Sequence, residues 1–145
     1  YEKVEDLRYG TNPHQTAAFY RPVGRPGVIG GMEVLKTGKS GLSQTNLEDI
    51  SYALNILKFY SEPACVCMKH VNPCGGAVAV PGDSSLDVYK KARDCDPRAA
   101  GGVKVFGFEF RQDVFCSLVD FPRYSGEAGN VDTVALISRA GNNLM

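Results

Sequence analysis

Apolar residues first recur at helical spacing at Leu47, Ile50, Leu54 and Leu57, with Ala53 beside them. The spacing predicts a helix over residues 46–60 with one apolar stripe facing a sheet. Thr45 and Glu48 have the spacing of a capping box, and Ser61-Glu62-Pro63 ends the element. Next comes Ala64-Cys65-Val66-Cys67-Met68, apolar on both parities and bounded by turn signals. That is the pattern of a strand covered on both faces, as in an α/β sheet. A second helix is predicted over 84–94, capped by Asp83 or Ser84, with Leu86, Val88, Tyr89 and Ala92 on its apolar side. Asp96-Pro97 closes it.

The flanks are harder to read. Residues 8–15 are polar and hold Gly10 and an Asn12-Pro13 dipeptide, so they should be irregular. Short strands are predicted at 16–21 and 32–37, with a surface loop over 21–31. Gly101-Gly102 opens a strand over 103–106 that can continue to Phe110; Phe106, Phe108 and Phe110 share one parity. A further helix is expected over 112–118, and a strand or helix over 131–137. With no internal repeat or linker, the 145 residues make one α/β domain.

Composition narrows the function classes. Sixteen basic against sixteen acidic side chains leave no net charge. That argues against a broad nucleic-acid surface, though not against a local anion pocket. No apolar run approaches the roughly 20 residues of a membrane span. The start, Tyr1-Glu2-Lys3-Val4-Glu5-Asp6, is mixed in charge and has no apolar leader core. Five cysteines, two of them alternating inside an apolar strand, read as reduced thiols, and a cytoplasmic location is expected. Pro73-Cys74 begins like a zinc deaminase motif, but Ala77 stands where the second Cys belongs, so no metal is expected. Gly38-Lys39-Ser40 ends like a phosphate loop, yet Glu33 occupies the position of its first Gly, which favours a plain loop.

Two stretches carry candidate chemistry. Lys69-His70 follows the buried strand, and strand ends are where α/β sheets build sites. His moves protons near neutral pH, and Lys stabilises a developing oxyanion. Adjacent residues on an extended chain point to opposite faces, so both reach one substrate only if the chain turns there. Asn72-Pro73 and Gly75-Gly76 supply turn formers. Residue types alone fit equally well a surface Lys beside a hydrogen-bonded core His. In the other stretch, Arg8 suits phosphate or carboxamide recognition and Tyr9 offers a stacking face. Composition alone reads that stretch as a solvated loop.

Together the motifs carry a resemblance. Leu7-Arg8-Tyr9-Gly10-Thr11-Asn12-Pro13-His14-Gln15, then Gly38-Lys39 with Leu42-Ser43-Gln44-Thr45-Asn46-Leu47-Glu48-Asp49, then Pro63 to Gly75 through Lys69-His70-Val71-Asn72-Pro73, then Asp96-Pro97 with Gly101-Gly102, resemble the AICAR transformylase domain. That domain belongs to the bifunctional AICAR transformylase/IMP cyclohydrolase family. The match covers residues 7–106 and corresponds to the first of the family's two similar subdomains. Arg98-Ala99-Ala100 stands where the family usually has Ser-Ala-Phe.

The resemblance implies a three-layer α/β/α, cytidine-deaminase-like fold without the deaminase zinc. It implies formyl transfer from 10-formyltetrahydrofolate, as cosubstrate, to the 5-amino group of AICAR, giving FAICAR. Lys69 and His70 would be the catalytic pair. Arg8, Tyr9, Gly10 and Asn12 would meet the nucleotide, Asn72 and Gly75 would shape the loop, and Gly101 and Gly102 would line the pocket. The expected partner is a second copy in a homodimer, or a complementary subunit, with no nucleic acid or membrane involved. Two other readings remain open: a nucleotide-binding or assembly subunit that needs a second polypeptide, and a cyclohydrolase by family name. No residue here supports the latter.

Overall fold

The computed structural model describes residues 1–24, 27–36, 41–98, 103–108, 113–119 and 131–138. In chain order the elements are β1 (Glu2–Leu7), β2 (Ala17–Arg21), the single turn α1 (Gly27–Gly30), β3 (Glu33–Lys36), α2 (Gln44–Leu57), β4 (Ala64–Lys69), β5 (Asn72–Val78), α3 (Ser85–Asp94), β6 (Val103–Phe108), β7 (Asp113–Val119) and β8 (Val131–Ser138). β1 and β2 form an antiparallel ribbon; the other six strands form one sheet in the order β3-β8-β7-β6-β4-β5. Among the described residues every pairing in both sheets is antiparallel.

β4 organises the core. Ala64, Val66 and Met68 point to one face and pack with Ile50, Ala53 and Leu57 of α2 and with Val103 and Val105 of β6. Cys65 and Cys67 point to the other face and pack with Val88 and Ala92 of α3. The double-parity apolar run is thus a strand with a helix on each side, and the apolar stripe of α2 faces the sheet as its spacing predicts. Burying a side chain such as Ile50 or Leu57, both essentially inaccessible, stabilises by about 1.5–3 kcal/mol. Among the described residues no helix is long and apolar enough to cross a membrane.

Several expectations change. The cap of α2 is Ser43, not Thr45: its Oγ accepts from the Asn46 amide at 3.2 Å, and Asn46 Oδ1 accepts from the Ser43 amide at 3.0 Å. Ser84 caps α3 in the same reciprocal way with Asp87. The segment expected as a helix over 112–118 is strand β7, because pairing to both β6 and β8 outweighs its weak local pattern. Asn72-Pro73 and Gly75-Gly76, expected to supply the turn after β4, instead lie in β5, which pairs directly back on β4, and the turn is at His70-Val71. Residues 2–7, left without an element, are β1, which pairs with β2 across a bulge.

Candidate functional site

The reversal between β4 and β5 is as tight as a hairpin allows. Lys69 pairs with Asn72, so only His70 and Val71 lie in the turn. Both have positive φ, 51° and 66°. A two-residue hairpin of this hand is the one whose twist matches its strands, and Asn-Gly is its usual occupant. Here the turn holds an imidazole and a β-branched side chain, in a conformation that usually costs a non-Gly residue about 1–3 kcal/mol.

Two hydrogen bonds hold the turn. Asn72 Nδ2 donates to the His70 carbonyl at 2.8 Å. The Val71 amide donates to Asp49 Oδ1 on α2 at 2.6 Å, a short, charge-assisted bond. Asp49 is only 3% exposed. Burial raises its carboxyl pKa above the ordinary value, against the lowering pull of the Val71 amide and of the nearby His70 charge. His70 itself is exposed and Lys69 half-buried. Among the described residues, Lys69 is not engaged in an ion pair.

The Arg8 stretch docks at the start of the same helix. The Arg8 amide donates to the Leu42 carbonyl at 2.7 Å, and the Gln44 amide donates to the Tyr9 carbonyl at 3.0 Å. The loop beyond closes on itself: the Gly10 amide reaches the Gln15 carbonyl at 3.0 Å, and the Asn12 amide reaches Gln15 Oε1 at 2.9 Å. A Cβ on Gly10 would press on Gln15 and Gln44 at 3.3–3.4 Å, so the close approach favours glycine. The Arg8 guanidinium lies 4.8 Å from the centroid of the Tyr9 ring and donates to its hydroxyl at 3.2 Å. An open polar cleft of about 520 Å³ lies here, between Gly10, Thr11, His14, Gln15, Thr16 and Gln44.

Chain geometry brings both motifs toward one end of α2. α2 has 14 residues and β4 has six, which makes them roughly 21 Å and 20 Å long. A short connection reverses the chain between them, so the end of β4 returns level with the start of α2. Gln44, which holds Tyr9, and Asp49, which holds Val71, are roughly 7.5 Å apart along the helix axis. The Arg8–Tyr9 backbone is thus tied to the first residue of α2 and the hairpin of Lys69 and Asn72 to a point roughly 140° around the axis from it, both toward the same end of the helix.

Other expected positions behave differently. Asn12 is exposed on the far part of its loop. Gly75 lies inside β5 beneath α3, where an added Cβ would overlap the Ala92 carbonyl oxygen and meet Cys95 Cβ at 2.9 Å. It permits close strand–helix packing. A cavity of about 560 Å³ borders Gly75, Ile56 and Tyr60 but none of Arg8, Tyr9, Lys69 or His70. Gly101, Gly102 and the stretch Gly38-Lys39-Ser40 lie outside the described residues. Asp49 is the functional candidate that residue-type reasoning passed over. Its signal was a carboxylate one position before the buried Ile50, at the edge of the apolar stripe.

The protein-family model described as "AICARFT/IMPCHase bienzyme" matches residues 1–114, a stretch that includes α2, α3 and both motifs.

Proposed function

Since the chain belongs to the AICARFT/IMPCHase bienzyme family, a family of purine biosynthesis, we propose that it serves the transformylase half-reaction. In this reading AICAR is the acceptor and 10-formyltetrahydrofolate the donor. What supports it is that the Arg8–Tyr9 stretch and the turn carrying His70, next to Lys69, are each hydrogen-bonded to the N-terminal half of α2. The fold that goes with this reading is the three-layer, cytidine-deaminase-like arrangement without a zinc. Its natural setting is the cytoplasm, as a homodimer or beside a complementary subunit.

The chemistry asks for two groups. The AICAR amine is weakened by conjugation with its ring, so attack on the formyl carbon must lose a proton while an oxyanion forms. His70 takes the amine proton. Lys69 faces the formyl oxygen as the carbon–nitrogen bond forms. Collapse of the tetrahedral intermediate breaks the bond to N10 of the folate, which leaves with the proton that His70 returns. A positioned base contributes typically ~10²–10⁴-fold. A preorganised charge at the oxyanion contributes roughly 3–4 kcal/mol. Arg8 and Tyr9 suit the nucleotide's anionic and planar parts, and the positive end of the α2 dipole adds to the attraction.

The test is formation of FAICAR from AICAR and 10-formyltetrahydrofolate by folded protein at saturating substrate, with loss in H70A. AICAR binding without turnover, and turnover only after a second polypeptide is added, would identify a half-site subunit instead. Absence of AICAR binding would overturn both.

A further inference from the structure

We propose that Asp49 is a positioning residue: its buried carboxylate holds the His70–Val71 turn in its left-handed form and so aims Lys69 and His70. The proposal rests on the transformylase reading of the turn, and it adds a residue from a different element to that site.

Three observations converge on it. First, the turn is strained at two successive non-glycine positions, one of them β-branched. Such a conformation persists only where the surroundings over-determine it. Second, the bond that reaches into the turn from outside the hairpin comes from Asp49, at 2.6 Å. The Asn72 bond to the His70 carbonyl is internal to the hairpin and cannot fix it relative to the helix. Third, Asp49 is 3% exposed and sits between Glu48 and Ile50 on a well-capped helix, so it is itself a fixed point. A buried carboxylate that accepts from the Val71 amide, with the His70 amide also near enough to favour its charged form, ties the turn to α2. His70 immediately precedes that amide and Lys69 ends the strand that enters the turn, so the turn's conformation sets the aim of both.

The experiment compares wild type, D49A, D49N, V71G and D49A/V71G. Val71 amide exchange and the His70 and Val71 backbone couplings are read by NMR, and formyl-transfer kcat and AICAR KM are measured in parallel. In D49A the Val71 amide should lose its protection and the couplings should leave the left-handed range. kcat should fall about 10²-fold, the scale of an ångström's misplacement, while KM changes less than about twofold. D49N keeps an acceptor oxygen and should retain both protection and most of kcat. Glycine prefers the turn without help, so D49A/V71G should recover most of what D49A loses. A protected Val71 amide in folded D49A would overturn the proposal. So would loss of kcat in D49N with the amide still protected, or no recovery in D49A/V71G. If wild type transfers no formyl group, the transformylase reading fails while the amide and coupling data still decide whether Asp49 holds the turn. If D49A does not fold, D49N and V71G carry the comparison.

Discussion

Replacing Gly75 with alanine should be far more damaging than the same change one residue later. At Gly75 the new Cβ overlaps the Ala92 carbonyl oxygen and lies 2.9 Å from Cys95 Cβ. The obstacle is backbone in the last turns of α3, so no side-chain rotation relieves it. Either α3 lifts from the sheet, exposing Val88 and Ala92 that are now fully buried, or β5 shifts along β4. β5 is an edge strand of the described sheet, which softens the penalty but does not remove it. The expected cost is about 3 kcal/mol, the upper end of over-packing. For 145 residues the unfolding entropy is about 0.3 kcal/mol/K, so the midpoint should drop by about 10 °C. At Gly76 the nearest atom to a new Cβ, the Cys65 carbonyl oxygen, is 3.7 Å away, an ordinary contact. There alanine should be neutral or stabilising by about 0.5 kcal/mol, because it restricts the unfolded chain. Thermal melts of G75A and G76A by circular dichroism measure the contrast. A G75A midpoint equal to that of G76A would refute the packing of β5 against α3.

Other outcomes follow from the same geometry. S43A removes the oxygen that accepts from the Asn46 amide and should destabilise by about 1–2 kcal/mol in urea titrations. L57A empties a buried position beside Gly107 and should cost about 2–5 kcal/mol, read from the urea midpoint at unchanged slope. Asp49 has a folded pKa raised by burial, so its protonated form is favoured by folding: that stability is fully present below the ordinary 3.8 and is lost as pH rises through the folded value. The melting midpoint of D49N relative to wild type should therefore climb across that acid window, and a falling difference would contradict the buried carboxylate. K69M should reduce formyl-transfer kcat by roughly 10²–10³-fold if Lys69 faces the oxyanion, and an unchanged kcat would exclude that role.

Legibility in the sequence followed how local each determinant was. α2, β4 and α3 were readable because their apolar spacing and bounding signals lie within each segment. β7 was not: its pattern over 112–118 decides little, and the pairing with β6 and β8 decides everything. β1 is mostly charged and owes its strand to a partner 10 or more residues away. The candidate chemistry of Lys69, His70, Arg8 and Tyr9 was visible as residue types, and their shared place at α2 was not. It depends on the near-equal lengths of a helix and a strand, on backbone bonds to Leu42 and Gln44 and on a bond to the Asp49 side chain. The hairpin that presents His70 was hidden for a related reason, since neither His nor Val signals a left-handed turn. Gly75 is expected from the sequence to shape a loop, whereas its need for glycine comes from the carbonyl of a helix that sequence alone does not place over it.

A crystal structure of the chain with AICAR bears most directly on the claim that the start of α2 gathers two distant motifs into one site. Convergence predicts one nucleotide in contact with Arg8 or Tyr9 and with Lys69 or His70 of the same chain. A nucleotide bound to one motif alone, with the other facing empty solvent, would contradict it.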